Sequence, residues 1–146
     1  MKTSSAKNKG RRAQNLLKQY VQDVLVSTYP EIDELDDHVR STPMGKSGED
    51  LLLSPTARKA FPFAPECKNT ERLGFWPTVV QAEANAEKYI PLIFAMKNRT
   101  LPWVAIPAAD FFEILNMAAD LLRTECGLNL KDTLINAEKP FQEDQT

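Results

Sequence analysis

The chain has 146 residues, enough for one domain around one core, and its 42% hydrophobic share is ordinary for a folded protein. A formal net charge of −2 excludes a uniformly basic nucleic-acid coat, and two cysteines are too few for a disulfide framework or a cysteine zinc site. No apolar stretch approaches the roughly 20 residues of a membrane span, and the polar, basic start has no signal-peptide core, so a reducing cytoplasmic setting is expected.

Residues 1–8 carry no apolar pattern and are expected to be a flexible basic arm. From Lys9 to Tyr29, Leu16, Leu17, Tyr20, Val21, Val24 and Leu25 recur at helical spacing, and Pro30 ends the helix. Charge divides sharply around this helix. Lys2, Lys7, Lys9, Arg11, Arg12 and Lys18 precede the first acid, Asp23, whereas Glu31–Asp37 holds five carboxylates. A polyanion is therefore directed to one face, with a solvated terminus as the plain alternative.

A polar loop, 41–48, leads to the apolar run Leu51–Ser54, and Phe61–Cys67 is the next strand candidate, with Pro62 and Pro65 suited to a start or an edge. These two runs are expected to pair as a loose hairpin. A helix over Thr78–Tyr89 follows, then strands Pro91–Met96 and Trp103–Ile106. After Pro107, Phe111, Ile114, Leu115, Ala118 and Leu122 share a helical face that stops near Gly127. Residues 9–130 are thus expected to be one α/β domain, a mixed central sheet flanked by helices, and 131–146 a weakly ordered tail.

Asp50 opens one predicted strand and Glu66 closes the next, so pairing brings both carboxylates to one sheet end. Strand alternation puts Glu66 and Lys68 on one face and Cys67 on the other. Two hard carboxylates suit Mg²⁺, with phosphate and water completing the shell. A lysine two residues on can orient water or stabilise developing charge. An acid-x-Lys tripeptide alone is weak, arising by chance about once in a few hundred residues, and its plain reading is a surface ion pair. Gly45-Lys46-Ser47 is not a P-loop, because Arg40 stands where the earlier glycine belongs. No nucleotide cofactor is expected. His38 reads as a solvent-facing imidazole and Glu49 as a bystander. Trp76 and Trp103 read as core or edge packing.

Ser47-Gly48-Glu49-Asp50, a strand, and then Glu66-Cys67-Lys68 resemble the PD-(D/E)xK nuclease superfamily. Lys9-Gly10-Arg11-Arg12 at the helix start and the Ser-Gly-x-Asp loop are similar to the small Holliday-junction resolvases and related phage endonucleases. The resemblance covers about residues 8–115. It implies a restriction-endonuclease-like fold, Mg²⁺ (or Mn²⁺) held by Asp50 and Glu66, Lys68 and Gln81 at the reacting phosphate, and host cytoplasm as the setting. Archaeal resolvases carry a glutamate four residues after the glycine; here that position is Gln14, a neutral member of the metal shell at best. Lys9, Arg11, Arg12, Arg40, Lys46 and Ser47 are the implied DNA contacts. The implied protein is a homodimeric Mg²⁺-dependent endonuclease for four-way or other branched DNA. Another DNA substrate, nicked or cut in the manner of a restriction enzyme, and an inactive DNA-binding module stay open beside it.

Overall fold

Ala13, Leu17, Val21 and Leu25 recur every four residues and form the buried stripe of α1, Thr3–Thr28, in the computed structural model, which describes residues 3–137. The helix starts earlier than its apolar pattern: residues 3–8, expected to be flexible, are its first turns, while residues 1–2 lie outside the described residues. The acidic stretch ends in a short helix, α2 (Leu35–His38), followed directly by the strand β1 (Val39–Ser41).

The expected hairpin does not form. β2 (Leu51–Leu53) pairs antiparallel with β1, in the register Val39↔Leu53 and Ser41↔Leu51. Between β2 and the next strand lies α3 (Pro55–Ala60), because Ser54 caps it by accepting from the Ala57 N–H and Pro55 occupies the first turn. β3 (Phe63–Asn69) instead pairs in parallel with β4 (Ile90–Met96), joined through α4 (Phe75–Ala86), and β5 (Trp103–Ala105) adds antiparallel to β4. The fold is mixed α/β with two small sheets, and the three-stranded one is mixed. The single central sheet of the expectation is thus divided.

Helices cover both faces of β3. Tyr20 of α1 meets Phe94 of β4 edge to face at 6.2 Å between centroids, while Ala82 and Ala86 of α4 are buried. Leu51, Ala64, Leu92, Ile93 and Phe94 complete this core.

The chain forms two compact units, Met1–Ala105 and Ile106–Thr146. In the second, α5 (Ala108–Leu121) passes into a π-helical turn, Leu122–Cys126, ended by Gly127 at φ 63°, and α6 (Leu130–Asn136) follows. Part of the expected tail is therefore helical, and residues 138–146 lie outside the described residues. None of residues 106–137 is buried. The apolar face that carries Phe111 and Ile114 is 46% and 43% exposed at these two residues. Among the described residues no helix is long and apolar enough to cross a membrane.

Candidate active site

β3 has two helices to serve, and its alternation divides the work. Glu66 and Lys68 turn toward α4: Glu66 Oε2 accepts from Asn85 Nδ2 at 3.3 Å, and Lys68 Nζ donates to Gln81 Oε1 at 2.9 Å. Gln81 and Asn85 are four residues apart, one helical turn, so α4 presents both amides to the same stretch of strand. Lys68 also lies 2.8 Å from Glu66 Oε1, an ion pair in which the carboxylate side chain is 6% exposed and the lysine 29%. Asn69 turns the other way and donates to the carbonyl of Lys9 in α1 at 3.0 Å.

Asp50 reaches the same strand by its own route. Its N–H donates to the Pro65 carbonyl at 2.8 Å, and its Oδ2 accepts from the Cys67 N–H at 2.6 Å. Those two residues flank Glu66, so Asp50 is fastened to β3 on either side of the second carboxylate. Its Oδ1 accepts from Gln14 Nε2 at 3.1 Å. The buried Thr42 fixes the approach by donating its N–H to the Asp50 carbonyl at 2.9 Å and its hydroxyl to the Glu49 carbonyl at 2.7 Å. The structure thus brings together Gln14, Asp50, Glu66, Lys68 and Gln81, all five residues expected at the chemistry.

The donor set suits a hard cation. Two carboxylates are present, and Gln14 Oε1 is buried with no hydrogen-bond partner among the described residues. That oxygen is an acceptor that a cation or its water would satisfy. Mg²⁺ commonly takes one or two carboxylates and keeps several waters. Among the described residues no three His, Cys, Asp or Glu side chains gather as a metal cluster. Burial pushes the Cys67 thiol well above its ordinary range, with the Asp50 and Glu66 charges adding to the effect. Asp50 and Glu66 would hold the ion, with Gln14 beside them.

Glu49 is a structural residue. It is ion-paired with Arg58, which also donates to the Phe63 carbonyl at 2.7 Å and lies 3.9 Å from the centre of the Tyr89 ring. His38 Nδ1 is 2.7 Å from Ser54 Oγ, the cap of α3.

The basic residues are less tightly gathered. A Cβ on Gly10 would meet Met44 Cε at 3.4 Å, so the loop carrying Lys46 and Ser47 lies against the start of α1, beside Lys9 and the exposed Arg11 and Arg12. Lys9 is 4.0 Å from Glu71. Gly45 and Gly48 turn this loop at φ 87° and 103°, values other residues adopt only with strain. Arg40 is exposed on β1, and no contact links it to the other cations among the described residues.

Sequence reasoning passes over Thr42, Arg58 and Asn85. Asn85 carries a usable signal, its one-turn spacing from Gln81; the other two act through backbone carbonyls and a buried pair, which no motif marks. Trp76 and Trp103, expected to be packed, are 73% and 75% exposed. Compared with family models, curated proteins and solved structures, the chain matches none.

Proposed function

We propose that the protein is a divalent-metal-dependent endodeoxyribonuclease of PD-(D/E)xK type, with a restriction-endonuclease-like domain, acting on branched DNA as a Holliday-junction resolvase does. The observation that carries this reading is the fastening of Asp50 to the two residues that flank Glu66, with Lys68 paired to Glu66. Asp50 and Glu66 would hold Mg²⁺ (or Mn²⁺), whose positive charge would polarise the scissile phosphodiester. Lys68, steadied by Gln81, orients the attacking water or stabilises the charge that develops as the bond breaks. Thr42 and Gln14 hold Asp50 in place. Lys9, Arg11, Arg12, Lys46 and Ser47 take the flanking phosphates, and Arg40 extends that surface along β1.

A four-way junction needs two symmetric cuts, hence two copies. The unit of residues 106–137 supports a homodimer: Phe112, Met117 and Leu121 of α5 are each more than half exposed, and the unit buries no residue of its own. A second copy supplies the missing core.

One observation favours a second reading, an inactive DNA-binding module: Gln14 replaces a carboxylate and already donates to Asp50. Incubation with supercoiled plasmid, a linear duplex and a synthetic four-way junction, each with Mg²⁺ or EDTA, tests both. Mg²⁺-dependent cutting selective for the junction supports resolution, and cutting of plasmid or duplex alone supports another nuclease substrate. Metal-indifferent binding without cutting supports the inactive module.

A further inference from the structure

Beside Lys68 the sheet continues into a recess that the catalytic reading leaves unused. The pairing register sets Lys68, Ala95 and Trp103 in one row across β3, β4 and β5. Side chains of one row stand on one face, and adjacent strands lie about 4.8 Å apart. The Cα atoms of these three residues therefore span roughly 10 Å, two strand spacings, with the Lys68 ammonium held by Glu66 and Gln81 at one end of the row and the indole at the other. Ala95 is the small member, and it forms part of the floor of a cavity of about 360 Å³ walled by Thr70, Glu71, Leu73, Lys97 and Trp103. That volume falls in the lower part of the usual range for small-ligand sites, about 300–1,000 Å³.

Trp103 is 75% exposed on the edge strand of its sheet, and no ring stacks on it among the described residues. An indole in that position buries little of its own surface. It does offer a stiff, flat platform that loses little freedom on stacking. The walls are mixed: Leu73 is apolar, Lys97 is cationic, and Glu71 Oε1 accepts from the Asn98 N–H at 3.0 Å. A flat heteroaromatic ring with polar edges, carried on an anionic backbone, meets both the apolar and the polar parts. The reach from Lys68 to Trp103 is about that of one nucleotide from phosphate to base.

We infer that this recess receives one unstacked nucleobase of the nucleotide next to the scissile phosphate, with Trp103 as its stacking surface and Ala95 leaving it room. The inference rests on the nuclease reading for the position of the phosphate. A base pair at an open branch point lacks a stacked neighbour on one side, so removing its base from the stack costs less than in continuous duplex DNA. The recess accordingly favours branched or frayed DNA over a continuous duplex.

The test uses the full-length protein in EDTA, with a four-way junction carrying the fluorescent base 2-aminopurine at successive positions around the branch, and a blunt duplex as the comparison. Stacking on indole should quench the probe at one position near the branch and not in the duplex. Trp103→Ala should abolish the quench and weaken junction binding by about 5- to 150-fold, the range for one aromatic–base stack. Trp103→Phe should restore part of both. Because the substitution leaves every cation on its phosphate, the salt slope of binding should stay that of the wild type. Ala95→Leu, which fills the floor and keeps the indole, should lose the quench as well.

Equal junction affinity in wild type and Trp103→Ala, or a quench that survives Trp103→Ala, overturns the recess. So does a Trp103→Ala effect confined to self-association, which would make the recess a protein contact. The two readings fail separately. Mg²⁺-dependent cleavage lost in Asp50→Asn, with no Trp103 effect, removes only the recess. Trp103-dependent quenching with no cleavage in Mg²⁺ removes only the nuclease. A wild-type protein that binds neither DNA removes both.

Discussion

Asp50 lends itself to a paired substitution, because its two oxygens have different partners. Oδ2 accepts from the Cys67 N–H at 2.6 Å and Oδ1 from Gln14 Nε2 at 3.1 Å, while Gln14 Oε1 is left buried without a partner. In Asp50→Asn the new Oδ1 keeps the Cys67 N–H. The new Nδ2 donates to Gln14 Oε1 once the Gln14 amide turns over, which leaves Gln14 Nε2 in the unpartnered position that Oε1 held, so the number of unsatisfied Gln14 atoms stays the same. What is lost is the extra strength of a charged acceptor, about 1 kcal/mol from the difference between charged and neutral hydrogen bonds. In Asp50→Ala, by contrast, the Cys67 N–H and Gln14 amide both lose their acceptor, at about 1–3 kcal/mol each. For a unit of this size 1 kcal/mol moves the melting point by about 3–5 °C. Asp50→Asn is therefore expected to melt a few degrees below wild type and Asp50→Ala on the order of 10 °C below, by calorimetry or circular dichroism. Cleavage should fall alike in both. Loss of a metal ligand removes several kcal/mol of transition-state stabilisation, at least about a hundredfold at 1.36 kcal/mol per tenfold. Equal melting points for the two variants would refute the amide exchange, and wild-type cleavage by either would refute the site.

Replacing Arg11 and Arg12 together by alanine should weaken binding to all sequences alike and flatten the dependence of log K on log salt by about 0.9 for each phosphate no longer neutralised; an unchanged slope on titration places the DNA away from the start of α1. Arg58→Met strands the mostly buried Glu49, whose side chain is 18% exposed, and should cost about 3 kcal/mol in urea unfolding, the low end for breaking a buried pair; Glu49→Gln with Arg58→Met should recover part of it. Phe112→Asp with Leu121→Asp should shift the protein from dimer to monomer in sedimentation, while a melting point unchanged from wild type and an unchanged mass would remove α5 from the interface. A thiol reagent at pH 8 should modify the exposed Cys126 and spare Cys67 until the protein is unfolded, because burial holds the Cys67 thiol in its protonated form; rapid labelling of both would show that β3 is open to solvent.

How far the chain can be read in advance depends on the length of each signal. α1 is legible because four apolar positions repeat over four turns, although the stripe that is buried is Ala13, Leu17, Val21 and Leu25 and Val24 is 40% exposed. β4 is legible as an apolar run of seven residues, and β3 by its apolar start, Phe63–Pro65. β1 is not, because Val39–Ser41 is three residues long and two are polar, too short for alternation to show. Without β1, the apolar Leu51–Leu53 has no partner to choose but Phe63–Asn69. The correct cue is present in Ser54-Pro55, a cap and a first-turn proline, yet Ser54 equally suits the end of a strand. Asp50 nonetheless reaches Glu66, since its contacts run to the Pro65 and Cys67 backbone and not through a β2–β3 ladder.

The second unit shows what a hydrophobic pattern leaves open. The spacing of Phe111, Ile114, Leu115, Ala118 and Leu122 states that one face of α5 is apolar; it does not state what lies against it. A core needs two surfaces, and residues 106–137 hold one helix of fourteen residues, a π-turn and a helix of seven, with no buried residue among them. Three residues of α5 alone, Phe112, Met117 and Leu121, carry 58–59% exposure. Each is worth roughly 1.5–3 kcal/mol when fully buried, so two symmetric copies could gain on the order of 5–10 kcal/mol from what is still exposed on these six side chains. That gain is comparable to the stability of a small domain. Association itself costs on the order of 4–15 kcal/mol in lost freedom, so these six side chains offset that cost only in part. A stable pair, such as two cuts at one junction would need, requires further burial along the apolar face.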